Sequence, residues 1–232
     1  MGERKLQIDI TKWQHVFKLD PAKEISDEDL ERICESETDA VIIGGTDHIT
    51  LDGVLDLLYR VRRFMLPCIL EVSTMEAITP GFDYYFIPSV FNSQDKKWFL
   101  DIQHEAIKQY QSLINWDELI VEGYCILNES SKAFKKTNCK QIDEEDVVAY
   151  ALMAEKFFKL PIFYIEYSGT YGDVNIVKRV KEQLQETKLF YGGGIETFEQ
   201  AKEMKQYADV IVVGNVIYDD IEAALDTVRA VK

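Results

Sequence analysis

Two stretches near the end of the chain, KLFYGGG (188–194) and ADVIVVG (208–214), decide the fold. Each is a short, mostly apolar run that ends in glycine. Glycine adopts positive φ without strain and lets a bound group approach the main chain closely. The pattern therefore predicts two buried parallel strands whose carboxyl ends open into turns that expose backbone N–H donors.

The same alternation of a short apolar run and a helical repeat extends through the rest of the chain. Apolar residues at helical spacing, such as Val54, Leu57, Leu58 and Val61, separate the runs. Six more strands are predicted at HVFKLD (15–20), DAVIIGG (39–45), PCILEVS (67–73), FDYYFIP (82–88), ELIVEGYCIL (118–127) and PIFYIEYSG (161–169). Eight strands alternating with helices predict an α/β (β/α)8 TIM barrel, which can fill residues 1–232 as a single domain. The connection at 74–81 is too short for a full helix, so we expect a loop or a single turn there.

An open, doubly wound sheet produces the same alternation of strands and helices. That fold normally carries its glycine fingerprint in the first turn between strand and helix. Here the first turn reads KLDPAKE (18–24), and the glycines come late. Barrels commonly bind phosphate with the loops after strands seven and eight, so the position of the glycines favours the barrel.

Two glycine motifs follow the last two predicted strands. They are Gly192-Gly193-Gly194 and Gly214-Asn215. The backbone amides of such turns, at the start of helices, can hold a phosphate. The glycines can also serve only to make tight turns, and one motif alone would not separate these interpretations.

The sixth predicted strand carries a carboxylate among apolar residues. Alternation places Tyr164, Glu166 and Ser168 on one face of the strand, either towards the barrel mouth or away from it. A buried carboxylate is costly unless it is paired or hydrogen-bonded. Glu166 is therefore a candidate general base or hydroxyl anchor, with a structural ion pair as the alternative.

The first two predicted strands end in charged and hydroxyl groups. Lys18 and Asp20 share a face at the end of strand one, and Thr46-Asp47 follow strand two. A lysine suits phosphate, and an oxygen-only ligand set favours Mg²⁺ over zinc. A charged loop without a ligand is the alternative. The three histidines, His15, His48 and His104, lack the spacing of a metal site, and we expect them to be structural or exposed.

The composition excludes several classes of protein. Forty-seven per cent of the 232 residues are hydrophobic, which suffices for a large core, and no apolar run approaches the length of a membrane span. There are 26 Lys and Arg against 41 Asp and Glu, for a net charge of −15. Nucleic-acid binding needs concentrated positive charge, so no nucleic-acid partner is expected. Four scattered cysteines and the lack of a signal peptide predict a cytoplasmic protein with reduced thiols.

Several long segments resemble one known family. HVFKLDPAKEIS, TDAVIIGGTD, PGFDYYFIPSVFNS, LPIFYIEYSGTYGDV, LFYGGGI and VIVVGNVIYDD are similar to the bacterial, PcrB-type heptaprenylglyceryl phosphate synthases. These are relatives of the archaeal geranylgeranylglyceryl phosphate synthases. The resemblance covers residues 11–230 and implies a modified, usually dimeric barrel in which a loop replaces one helix. It also implies a Mg²⁺-dependent transfer of a long prenyl group from prenyl diphosphate to the 3-hydroxyl of sn-glycerol 1-phosphate, with release of diphosphate.

The resemblance also assigns roles to individual residues. Lys18 would contact glycerol phosphate, Asp20 and Thr46 would hold Mg²⁺, and Glu166 would be the base, with Tyr164 orienting the acceptor. The residues that would surround the glycerol phosphate are Tyr164, Ile165, Glu166, Tyr167, Ser168, Gly169, Gly194, Gly214 and Asn215.

The length of the prenyl chain depends in this family on a residue of the helix after strand four. Archaeal members carry a bulky aromatic residue there and accept a C20 chain. The matching residue here is Ala106, whose small side chain leaves room for a C35 chain. Contact with a membrane would then be peripheral, through the lipid product.

Two other functions remain open on sequence grounds. One is a barrel isomerase or lyase acting on another phosphorylated small molecule, and the second is a noncatalytic phosphate-binding protein. A fold alone does not decide among them.

Overall fold

The computed structural model describes residues 9–232, which form a closed barrel of parallel strands. Each strand pairs with the next in sequence, and β8 pairs with β1 to close the barrel. The strands are β1 His15–Leu19, β2 Ala40–Ile43, β3 Cys68–Glu71, β4 Tyr84–Val90, β5 Leu119–Ile126, β6 Ile162–Glu166, β7 Lys188–Gly192 and β8 Val210–Val213. The predicted (β/α)8 fold is confirmed, and the doubly wound sheet is excluded.

Helices alternate with the strands, and most of them cover the outside of the barrel. They are α1 Asp27–Cys34, α2 Leu51–Val61, α3 Asp101–Tyr110, α4 Lys132–Lys136, α5 Glu144–Leu152, α6 Val174–Gln183, α7 Phe198–Met204, α8 Val216–Asp219 and α9 Ile221–Arg229. A π-helical segment, Met153–Phe158, continues α5. Several of these helices begin with a side-chain N-cap. At α1, for example, the Ser26 hydroxyl accepts a hydrogen bond from the Asp29 backbone amide.

The connection between β3 and β4 differs from the other crossovers. It contains a single 3₁₀ turn, Met75–Ala77, where a regular barrel has a full helix. This confirms the loop expected at 74–81. The loop lies at one side of the barrel mouth, where Met75 and Ile78 line the central cavity.

Alternation along the strands produces two buried layers. One layer lies between the strands and the helices, and Phe17, Val41, Leu70, Phe163 and Leu189 belong to it. The second layer fills the barrel interior. The part of it that lies away from the carboxyl ends of the strands contains Val16, Ile42, Ile69, Phe86 and Phe190. Polar side chains replace these apolar ones towards the carboxyl ends of the strands, so the polar site lies at the end of the barrel where barrel active sites occur.

His15 belongs to the outer layer, away from that end. It is fully buried, and its ring nitrogens lie 3.0 Å from the hydroxyls of Thr38 and Thr227. Burial lowers its pKa to about 3, so the ring is neutral. The structural role expected for His15 is confirmed.

Candidate active site

Lys18 projects from β1 into the barrel, as its alternation with Phe17 and Leu19 requires. Its ammonium group lies 2.6 Å from Glu71 Oε1 and 5.8 Å from the centre of the Tyr164 ring. Burial alone would lower the pKa of Lys18, but the nearby carboxylates of Glu71 and Glu166 outweigh burial and raise it. The lysine is therefore a permanent cation at the floor of the cavity.

Glu166 ends β6 and also faces the interior. It is buried, and Tyr124 donates its hydroxyl to Glu166 Oε2 at 3.0 Å. Burial raises the pKa of Glu166, while Lys18 and hydrogen bonds from Ser168 and Tyr124 oppose that rise. A carboxylate with a raised pKa is a stronger base than an exposed one, which suits general-base catalysis near neutral pH.

Two tyrosines form the wall beside these charges. Tyr124 and Tyr164 stack with ring centres 4.5 Å apart and planes 14° from parallel. The Tyr164 hydroxyl is buried and has no hydrogen-bond partner within the described residues. A side chain at Gly192 would collide with that hydroxyl. Glycine at position 192 therefore leaves room for the Tyr164 hydroxyl beside the cavity that both residues line.

The two glycine motifs meet the same cavity from β7 and β8, at Gly194, Gly214 and Asn215. Gly194 has φ +55° and packs so closely against the backbone of Thr170 and Tyr171 that no other residue fits. Glycine at position 194 therefore also allows the loop after β7 to pack directly against the loop after β6. Lys23, which the sequence analysis did not single out, donates to Asn215 Oδ1 at 3.1 Å and adds a cation to this side.

Asp20 and Thr46 line the cavity at the ends of β1 and β2. A Cβ at Gly45 would lie 2.6 Å from Asp20 Oδ1, so glycine there lets the carboxylate pack against the turn that carries Thr46. Within residues 9–232, no group of three or more His, Cys, Asp or Glu side chains could hold a metal. Two oxygen donors fit Mg²⁺, which commonly takes one or two protein ligands and completes its shell with water and substrate phosphates.

The opposite side of the cavity is apolar. The cavity has a volume of about 660 Å³, and α3 contributes Ile102 and Ala106 to its wall. Ile87 from β4 and Trp98 from the following loop extend this wall. One cavity thus joins a polar end that contains Lys18 and Glu166 to an apolar groove.

Ile165 and Tyr167 are the two predicted site residues whose side chains do not line the cavity. Ile165 is buried in the outer layer. Tyr167 packs against Tyr191, with ring centres 6.2 Å apart. Alternation explains both positions, since Tyr164, Glu166 and Ser168 take the inward face. Ile165 and Tyr167 could therefore contact a ligand in the cavity only through their main-chain atoms.

The sequence model of the PcrB family matches residues 8–232, which is nearly the whole chain. The chain belongs to the PcrB family. Among its relatives of this family, heptaprenylglyceryl phosphate synthase of Oceanobacillus iheyensis is 65% identical over 96% of this chain and 98% of its own. The enzyme of the same name from Geobacillus sp. (strain WCH70) is 63% identical over 97% of this chain and 99% of its own.

A solved structure similar to this PcrB-family chain has a bound ligand. It is (S)-3-O-geranylgeranylglyceryl phosphate synthase from Thermoplasma acidophilum, in complex with its substrate sn-glycerol-1-phosphate. The two share 27% identity and superpose with a TM-score of 0.85 over 95% of this chain and 93% of the other. These matches confirm the family resemblance that the sequence motifs indicated, and the solved structure also agrees with the predicted barrel.

Two buried carboxylates of this PcrB-family chain were not predicted from the sequence, and of the two only Glu71 lines the cavity. Glu71 ends β3 and pairs with Lys18, while Glu122 lies fully buried on β5 with no hydrogen-bond partner for either oxygen within the described residues. Burial, and then the charge of Glu71, raise the pKa of Glu122 well above its ordinary value, although Lys18 opposes the rise. The signal was the one used for Glu166, a carboxylate within an apolar run, and applying it to PCILEVS and ELIVEGYCIL would have found both.

Proposed function

We propose that this chain is a heptaprenylglyceryl phosphate synthase, which transfers a heptaprenyl group from heptaprenyl diphosphate to the 3-hydroxyl of sn-glycerol 1-phosphate. The observation that carries the proposal is the cavity in which the buried carboxylate of Glu166 and the half-buried ammonium group of Lys18 lie next to an apolar groove. The PcrB-family relatives of the same name, 63–65% identical over nearly their whole length, support it.

Glycerol phosphate would bind at the polar end of the cavity. Lys18 and the turns at Gly194, Gly214 and Asn215 offer a cation and backbone donors for its phosphate. The Tyr164 hydroxyl, which has no partner of its own within the described part of the chain, is placed to bond the glycerol. These contacts would direct the 3-hydroxyl towards Glu166.

The chemical step exchanges one C–O bond for another. The bond between the allylic carbon and the diphosphate oxygen breaks, and a bond forms between that carbon and the glycerol oxygen. Glu166 accepts the hydroxyl proton, and Tyr124 holds the carboxylate in place through its 3.0 Å hydrogen bond. Binding both reactants in one cavity removes much of the entropic part of the barrier.

Asp20 and Thr46 would hold a Mg²⁺ ion, because they supply oxygen donors at one side of the cavity. When bound there, Mg²⁺ would neutralise charge that builds on the departing diphosphate. The groove at Ala106 would receive the prenyl chain. Because the side chain of Ala106 is small, it would leave room for the C35 donor.

The molecular context of the reaction belongs to the same proposal. All four cysteines are free and buried, which supports a reducing, cytoplasmic location. None of the helices within residues 9–232 has the length and apolar character to cross a membrane. We expect a homodimer that meets the membrane peripherally, through its lipid product.

One assay tests the proposed function. Purified protein is incubated with sn-glycerol 1-phosphate and heptaprenyl diphosphate, with and without Mg²⁺, and both diphosphate and ether lipid are quantified. Formation of both products in a Mg²⁺-dependent manner is expected. Absence of both products would leave the alternatives of an isomerase or lyase, or of a noncatalytic phosphate-binding protein.

A further inference from the structure

Two lysines of the short helix α4 lie at the mouth of the cavity. Lys132 and Lys136 are four residues apart, so they share one face of the helix, and both line the cavity. Lys135 lies between them in sequence but does not line the cavity. The helix therefore directs two of its three neighbouring cations towards the site.

Both lysines approach the turn after β2. Their ammonium groups lie 3.6 and 3.7 Å from the two carboxylate oxygens of Asp47, and Lys136 also donates to the main-chain carbonyl of Thr46. The separations from Asp47 exceed direct hydrogen-bonding distance. A single carboxylate thus faces two ammonium groups, and this part of the mouth is locally positive in a chain with a net charge of −15.

Contacts with the loop after β4 hold α4 in place. The Ser131 hydroxyl caps the helix, and the Ser93 hydroxyl donates to the Thr137 carbonyl at 2.6 Å. A backbone bridge joins Ser93 to Cys139, and the Lys140 amide donates to the Asn92 carbonyl at 2.9 Å. The backbone that carries the lysines is therefore fixed by these contacts, while the side chains of Lys132 and Lys136 are 82% and 42% exposed.

The position of α4 relates the lysines to both ends of the cavity. Ala133 of the same helix lines the cavity, as do Trp98 and Ala106 of the apolar groove. Thr46, a proposed Mg²⁺ ligand, lies directly beside Lys136. A group held by the two lysines would lie where the apolar groove meets the proposed metal site.

We propose that Lys132 and Lys136 bind the diphosphate of the prenyl donor and stabilise it as it leaves. This inference rests on the proposed function. A diphosphate carries more negative charge than one divalent cation neutralises, and ammonium groups are effective point charges for phosphate. Their charge acts more strongly as negative charge builds on the leaving oxygen, so they favour bond cleavage as well as binding.

The test compares Lys132→Ala/Lys136→Ala with Lys135→Ala, which removes a cation from the same helix outside the cavity. We expect the double variant to raise the KM for heptaprenyl diphosphate about tenfold or more. The KM for glycerol 1-phosphate is expected to stay within about twofold of the parent value. Lys135→Ala is expected to match the parent in both. A double variant that behaves like Lys135→Ala would overturn the proposal.

A binding measurement separates this proposal from the proposed function. Inorganic pyrophosphate with Mg²⁺ is titrated into the same three proteins by calorimetry, which requires no turnover. We expect the double variant to bind pyrophosphate about tenfold or more weakly than both other proteins. Equal affinities would refute the lysine site even if the parent makes the lipid product. Weaker binding in a protein that makes no product would refute only the prenyl transfer.

Discussion

Glu166 is the residue on which the proposed chemistry depends most directly. Glu166→Gln keeps the size of the side chain and can still accept from Tyr124, but it cannot take a proton. We expect kcat to fall about 10²- to 10⁴-fold, the usual contribution of a general base. Steady-state kinetics with both substrates measures the change.

The matched control for that variant is Glu199→Gln on α7, whose side chain is exposed and lies outside the cavity. It is expected to retain parent activity. Circular dichroism should show the same fold for both variants. A Glu166→Gln enzyme with near-parent kcat would remove Glu166 from the role of base.

The raised pKa of the buried Glu122 side chain should make the stability of the protein depend on pH. Because burial raises its pKa in the folded state above the ordinary value of 4.5, the folded protein binds more protons than the unfolded chain at pH values between the two. Stability contributed by this group is therefore present at low pH and is lost as pH rises above about 4.5. The loss approaches about 1.4 kcal/mol per pH unit until the folded-state pKa is reached.

Glu122→Gln removes this titration. We expect the variant to gain stability over the parent as pH rises from 5 to 8, with little difference near pH 4. Urea unfolding at several pH values measures it. A difference that does not change with pH would mean that Glu122 titrates normally in the folded protein.

At the scale of the element, α3 forms part of the wall of the groove. Ala106 faces the cavity, whereas the next residue, Ile107, is exposed and does not line it. Ala106→Trp fills part of the groove, so we expect the preferred donor to change from C35 to a shorter prenyl chain. Competition assays with donors of two lengths measure this preference. Ile107→Trp is the control and should leave the preference unchanged; a shared response would reject Ala106 as the determinant.

Local sequence patterns predicted the elements well, because alternation and capping act within a few residues. Tyr164 and Glu166 share one face of β6, as alternation predicted, and both face inward, while the Ser26 cap of α1 acts within the first turn of its own helix. Contacts between distant elements were not accessible in this way. The pairing of Lys18 with Glu71 spans 53 residues and depends on the register of three strands. The position of Lys136 beside Thr46 spans 90 residues and depends on how α4 packs over the mouth.

At the scale of the whole molecule, the first strand and the last helix are joined through a buried hydrogen bond. His15 Nε2 on β1 lies 3.0 Å from the Thr227 hydroxyl on α9. Thr227→Val leaves the buried ring without that partner, so we expect the free energy of unfolding to fall by about 1–3 kcal/mol. Denaturant unfolding measures the loss.

Thr227→Ser retains the hydroxyl and is the control for this contact. The KM values of both variants should equal those of the parent, because the pair lies outside the cavity. A Thr227→Val protein as stable as the Thr227→Ser protein would show that this contact contributes nothing to barrel closure.

Within residues 9–232, the barrel interior brings together three carboxylates, Glu71, Glu122 and Glu166, and the ammonium group of Lys18. An incoming phosphate adds negative charge to this excess, and the added charge favours protonation of Glu122 and Glu166, whose pKa values burial already raises. Association with sn-glycerol 1-phosphate should therefore draw protons from solution, and by linkage its affinity should weaken as pH rises. Calorimetry in buffers of different ionisation enthalpy would reveal the uptake, and identical apparent enthalpies in all buffers would exclude it. On this view, the acidic interior couples substrate capture to the acidity of the surrounding solution.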